Sequence, residues 1–159
     1  MSPAPRFFHQ NIIAKLMSHL GQYLREHPLG VCVPAPVDVF FTDTNTYQPD
    51  IVFVSEERRS RIQEDGVHGA PDLVVEVLSK GTRKLDEGFK KKVYAACGVT
   101  EYWITDPDPA EVQVFHLQSS VEVPDRTLGR DAELATELLP GLTIPLAEVL
   151  ENPVQTSAS

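Results

Sequence analysis

Three carboxylates stand in or beside runs whose pattern leaves no room for charge, and the spacing of two of them points to a metal ion. In "GAPDLVVEVLS" (69–79), Leu73, Val74, Val75, Val77 and Leu78 are residues of a strand buried on both faces, with Glu76 in their midst. An ionised side chain costs several kcal/mol there unless something neutralises it. A second short run, "DIVFVS" (50–55), begins on Asp50. If the two runs pair antiparallel, the segment joining them is centred near residues 63 and 64. Asp50 then falls opposite Glu76 or Val77, and Asp72 opposite Val54 or Ser55. Strands lie about 4.8 Å apart, so the Asp50 and Glu76 carboxylates come close enough to share one ion. Asp72 is on the face of Glu76 but about 13 Å along the strand. Two close carboxylates without a cation force one to stay protonated. A divalent ion removes the conflict, and hard oxygen ligands favour Mg²⁺ or Mn²⁺ over zinc. The plainer alternatives for Glu76 are a buried Arg or Lys partner, or a place at a solvent-facing sheet end. On the metal reading a metal-free Glu76 is uncompensated, so Glu76→Gln should leave metal-free stability level or raise it.

The surrounding elements must hold these residues in place. From His9 to His27, apolar residues at Ile12, Ile13, Leu16, Leu20, Tyr23 and Leu24 make a helical stripe, closed by Pro28 and Gly30. "VCVPAPVDVFF" (31–41) reads as a strand interrupted by Pro34 and Pro36, at an edge or bulged. A turn cluster, strand 50–55, a charged loop 56–71 and strand 72–79 follow. "TRKLDEGFKKKVYAACG" reads as a helix with Thr82 as N-cap and Gly98 as its stop. Its stripe is Leu85, Phe89, Val93, Ala96 and Cys97, with Lys90 and Lys92 on the flanks and Lys91 pointing away. Strands 100–105 and 111–117 come next, then a polar excursion, a last short strand and a closing helix. The order predicts an α/β fold with a mixed central sheet, in which strands 72–79 and 100–105 run parallel through a helical crossover.

Composition narrows the class. With 159 residues, 42% of them hydrophobic, the chain suits one domain with a proper core. No apolar run approaches the ~20 residues that span a bilayer, and no signal-peptide core opens the sequence, so no membrane partner and a cytoplasmic location are expected. Cys32 and Cys97 lack metal-ligand spacing and read as reduced core residues. The net charge of −9 argues against a surface coated with basic patches, although a local basic groove can coexist with it.

"PDIVFV", "GAPDLVVEVLS", "TRKLDEGFKKKVYAACGVTEYWITDP" and "LLPGLTIPLAEVL" together resemble, in order and spacing, the Uma-two family of restriction-endonuclease-like proteins within the PD-(D/E)XK nuclease superfamily. The resemblance runs from "MSPAP" to about Leu150. It implies a PD-(D/E)XK restriction-endonuclease-like fold and metal-dependent hydrolysis of DNA phosphodiester bonds. DNA is then the substrate, Mg²⁺ or Mn²⁺ the cofactor, and a homodimer one assembly open to the chain. Asp50 matches the Asp of the first "PD" and Glu76 the acidic residue of the (D/E)XK element. The motif's Lys falls on Leu78, so the literal pattern is broken, and Lys90 of the following helix takes its place. Asp72, in the "GAPD" signature, is a secondary candidate. Relatives carry a further N-terminal segment with a Glu-bearing hairpin before "MSPAP". The expected domain is therefore 1–151 without that hairpin, with 152–159 a disordered tail.

His9 lies on the apolar stripe of the first helix and reads as a core histidine; the family's "HQ" pair there implies a role near the site. Arg58, Arg59 and Arg61 could touch phosphates, or form a solvated loop among Glu56, Glu57 and Glu64. Two functions remain open: a Mg²⁺-dependent DNA endonuclease using Asp50, Glu76 and Lys90, and a nuclease-fold protein without activity that serves in binding or assembly.

Overall fold

A computed structural model describes residues 6–79 and 85–154. In chain order the elements are α1 (Phe7–Glu26), β1 (Gly30–Pro34), β2 (Val39–Phe40), β3 (Thr46–Tyr47), β4 (Ile51–Ser55), β5 (Ile62–Gln63), β6 (Gly66–His68), β7 (Leu73–Val77), α2 (Leu85–Cys97), β8 (Glu101–Asp106), β9 (Glu111–His116), β10 (Arg126–Gly129), β11 (Glu133–Leu134), β12 (Ile144–Pro145) and α3 (Leu146–Val149). The central sheet has the order β1-β4-β7-β8-β9-β10. Its β7–β8 pair is parallel and the other pairs antiparallel, so α2 is the crossover that the sequence predicts.

β7 is buried on both faces, and its alternation sorts the core into two layers. Leu73, Val75 and Val77 point with Ile51, Phe53 and Trp103 into the layer under α1, where Ile12, Leu16 and Leu20 are fully buried. Val74 points with Val52, Val54 and Tyr102 into the layer under α2, which contains Tyr94. Glu76 shares the parity of Val74, so its side chain enters the α2 layer. β1 approaches β4 so closely that a Cβ at Gly30 would collide with the Val54 carbonyl. Among the described residues no helix is long and apolar enough to cross a membrane.

Several expectations change. The run 31–41 divides into β1 and β2, which belong to different sheets. Pro34 and Pro36 lack the N–H that a continuing ladder needs. The loop 56–71 holds a 3₁₀ helix (Glu56–Arg61) and the β5–β6 hairpin, part of a small sheet of order β3-β2-β6-β5. Strands of two or three residues are too short to display alternation. The polar excursion contains β10, an edge strand whose outer side faces water and therefore carries polar residues.

The buried face of α2 is rotated from the expected stripe. Phe89 is 59% exposed, whereas Tyr94 is fully buried. Lys91 does not point away: its ammonium sits 4.2 Å above the Phe115 ring. Gly98 does stop α2, at φ +101° in the left-handed region, with its N–H and that of Val99 donating to the Tyr94 carbonyl. Thr82 and residues 155–159 of the expected tail lie outside the described residues.

Candidate active site

The β4–β7 ladder pairs Ile51 with Val75, and one step further puts Asp50 opposite Glu76. Asp50 lies just before β4, where the Asp50 carbonyl accepts the Ala35 N–H. Its carboxylate Oδ2 accepts the Val77 backbone N–H at 2.7 Å. His9, from the first turn of α1, brings Nε2 to 2.8 Å from the Val77 carbonyl and 3.7 Å from Asp50 Oδ2. Its Nδ1 is 3.0 Å from the Gln10 side-chain amide. His9 is thus a satisfied histidine that also borders the Asp50 carboxylate.

Glu76 is met by protein groups from two elements. Tyr94 of α2 donates its hydroxyl to Oε1 at 2.8 Å, and Tyr102 of β8 donates to Oε2 at 2.7 Å. The Lys90 ammonium stands 3.5 Å from Oε1. A lysine partner, the plainer alternative from the sequence, is therefore present, although Lys90 is only half-buried. Lys90 faces the site because it is one helical turn before Tyr94 on the same side of α2, while Lys92 is exposed.

His9, Gln48, Asp50, Glu76, Glu87 and Lys90 line one cavity of about 180 Å³. Burial pushes the Asp50 carboxyl above its ordinary range; the Val77 amide and His9 oppose this, the Glu76 charge adds to it, and Lys90 lowers it. The cavity therefore holds an acid whose ionised form is only partly compensated by the protein.

The donor chemistry fits a hard divalent ion. Among the described residues no three His, Cys, Asp or Glu side chains converge as a ready-made metal cage. Mg²⁺ needs no such cage, since it is commonly held by one or two carboxylates and completes its shell with water and phosphate oxygens. Asp50 and Glu76 are two such carboxylates, set opposite each other on neighbouring strands and lining one cavity.

Asp72 does not line this cavity. Its Oδ2 accepts the Ser55 N–H at 2.6 Å and its Oδ1 lies 3.3 Å from Arg58 Nε, at the other end of β7. Arg58 also donates to the carbonyls of Ala70, Pro71 and Gly98, Arg61 donates to Ala70, and Arg59 pairs with Glu56. All three arginines are engaged within the protein.

Sequence reasoning missed Gln48, Glu87, Tyr94 and Tyr102. A signal existed for Tyr94, four residues after Lys90 and so on its helical face. Tyr102 follows from the parallel register, which pairs Glu76 with Ile104 and so puts Tyr102 on the same sheet face.

The family Uma2, described as "Putative restriction endonuclease", matches residues 1–147. A search of curated proteins gives no match. A crystal structure from Anabaena variabilis ATCC 29413, described as a "putative nuclease belonging to DUF820", superposes with a TM-score of 0.75 at 19% identity, covering 94% of this chain and 84% of that one. At that identity the likeness speaks for the fold. With the family match spanning almost the entire length, the chain belongs to the Uma2 family of the PD-(D/E)XK-like nuclease superfamily.

Proposed function

We propose that the protein is a Mg²⁺- or Mn²⁺-dependent DNA endonuclease that hydrolyses phosphodiester bonds at the cavity between β4, β7 and α2. The observation that carries this reading is the convergence of Asp50, Glu76 and Lys90 on one cavity in a chain of a nuclease family. Asp50 and Glu76 would hold the ion, which when bound lowers the pKa of a water and polarises the phosphate. In hydrolysis the water oxygen bonds to phosphorus as the water gives up one proton, one ester P–O bond breaks, and the leaving alkoxide takes up a proton from solvent. Lys90, as an ammonium, has three donors and no acceptor. It can orient the water through its lone pair or stabilise negative charge growing on the phosphoryl oxygens. His9 holds the Val77 carbonyl, and the N–H of the same residue holds Asp50, so its role is to position rather than to react.

The test is nicking of supercoiled plasmid with Mg²⁺ or Mn²⁺, with the metal chelated, and with Asp50→Asn. Cleavage that needs the metal and is lost in Asp50→Asn supports the proposal. Cleavage that persists in both controls overturns it.

One observation favours a second reading, a nuclease-fold module without catalytic activity. Both oxygens of Glu76 already accept hydrogen bonds from Tyr94 and Tyr102, and Lys90 faces Oε1. A chain that binds neither Mn²⁺ nor Mg²⁺ and never nicks DNA would fit that module.

A further inference from the structure

We infer that Tyr94 and Tyr102 are positioning residues that aim the Glu76 carboxylate at its metal. This rests on the metal reading of the site proposed above and names the groups that make it selective in geometry.

A buried phenol needs only one acceptor, and any carbonyl serves. Tyr23, on α1, donates to the Pro140 carbonyl at 2.6 Å. Tyr94 and Tyr102 come from a helix and a strand, both fully buried, and converge on opposite oxygens of one carboxylate. An ionised carboxylate only accepts, with about four lone-pair sites on its two oxygens. Two phenols therefore leave each oxygen one further acceptor direction, which on Oε1 faces the Lys90 ammonium at 3.5 Å, and remove the freedom of the group to rotate.

The phenols are themselves fixed. Tyr94 stands edge-on to Tyr47 at 5.9 Å and to Tyr102 at 5.2 Å, and leans on Phe41 at 4.8 Å between centroids. Tyr102 rests against Phe115 at 6.4 Å. Edge-to-face packing of this kind holds ring planes in place. Both hydroxyls are necessarily the donors here, since the ionised carboxylate they meet only accepts. Side chains that hydrogen-bond a metal ligand typically contribute about 10–100-fold to metal affinity.

The test is Mn²⁺ titration by calorimetry on the intact chain and on Tyr94→Phe, Tyr102→Phe, Tyr23→Phe and Asp50→Asn, each with a melting curve. We expect Tyr94→Phe and Tyr102→Phe to weaken Mn²⁺ about 10-fold or more. Tyr23→Phe should lower the melting temperature by a similar amount and leave Mn²⁺ affinity unchanged. That contrast separates aiming from general loss of a buried hydrogen bond. If one of the two phenol variants fails to fold, the other decides, since they touch different oxygens. The inference is overturned if Asp50→Asn weakens Mn²⁺ while both Phe variants bind like the unaltered chain. An unaltered chain that binds no Mn²⁺ overturns the metal reading and this inference with it.

Discussion

The Asp50 carboxylate accepts the Val77 backbone N–H at 2.7 Å, so an acid at the start of one strand is tied to the end of its neighbour beside Glu76. Burial nonetheless raises the Asp50 pKa in the folded chain. A carboxyl with a raised folded pKa binds its proton more tightly in the native state than in the unfolded one. Its contribution is favourable below the ordinary value near 3.8 and is lost as pH rises through the folded pKa. Asp50→Asn keeps an oxygen for the Val77 N–H and removes the charge. In chelator, the variant should melt higher than the parent at pH 7, with the gap closing as pH falls towards 4. Melting curves across that range check it; a variant that melts lower throughout would contradict it.

Glu76→Gln should destabilise the metal-free protein by about 1–3 kcal/mol, the reverse of what the sequence alone suggests. Gln has one acceptor oxygen where two phenols and an ammonium require two. Urea denaturation in chelator measures the loss, and unchanged or increased stability would show that the Tyr94 and Tyr102 hydrogen bonds contribute little.

The three consecutive lysines of α2 should separate cleanly. Lys90→Ala should reduce cleavage by about 100-fold or more and leave Mn²⁺ binding in place, because an ammonium is not a ligand. Lys92→Ala, at an exposed position, should change little and is the proper control. Lys91 is not inert: its ammonium covers Phe115, and burial lowers its pKa. Lys91→Ala should cost about 0.5–1 kcal/mol of stability with cleavage unaltered. Paired nicking rates and melting curves distinguish the three.

Asp72→Asn should act on stability alone. It removes the charge facing Arg58 and weakens the acceptor for the Ser55 N–H, a loss of about 1–3 kcal/mol. Mn²⁺ affinity should not move. A fall in affinity as large as that of Asp50→Asn would return Asp72 to the site.

The Asp50–Glu76 pairing was legible because the connection of the two buried runs is centred near residues 63 and 64, which sets Asp50 opposite Glu76 or Val77 when the strands pair antiparallel. That connection is in fact a 3₁₀ helix and a hairpin, yet Asp50 still falls opposite Glu76. The partners of Glu76 were not legible. A helical wheel scores Lys90 and Tyr94 as polar and Phe89 as apolar, whereas in α2 the polar tips of the first two reach a buried acceptor and Phe89 faces water. Glu101 escaped notice for the same reason. It is buried in the α1 layer, where Trp103 Nε1 and Thr136 Oγ1 satisfy it, and that fit depends on a residue 35 positions away. The small sheet and β10 were hidden by short, polar strands without periodicity.

Whether Asp50 and Glu76 share a divalent ion, as proposed, is visible by anomalous diffraction from crystals grown with Mn²⁺. The expected result is an anomalous peak in the cavity, in contact with an oxygen of each carboxylate and with the Lys90 ammonium displaced from Glu76 or turned towards solvent. A fully occupied Mn²⁺ elsewhere on the molecule, with Glu76 still held by Lys90, Tyr94 and Tyr102 and the cavity without density, would contradict it.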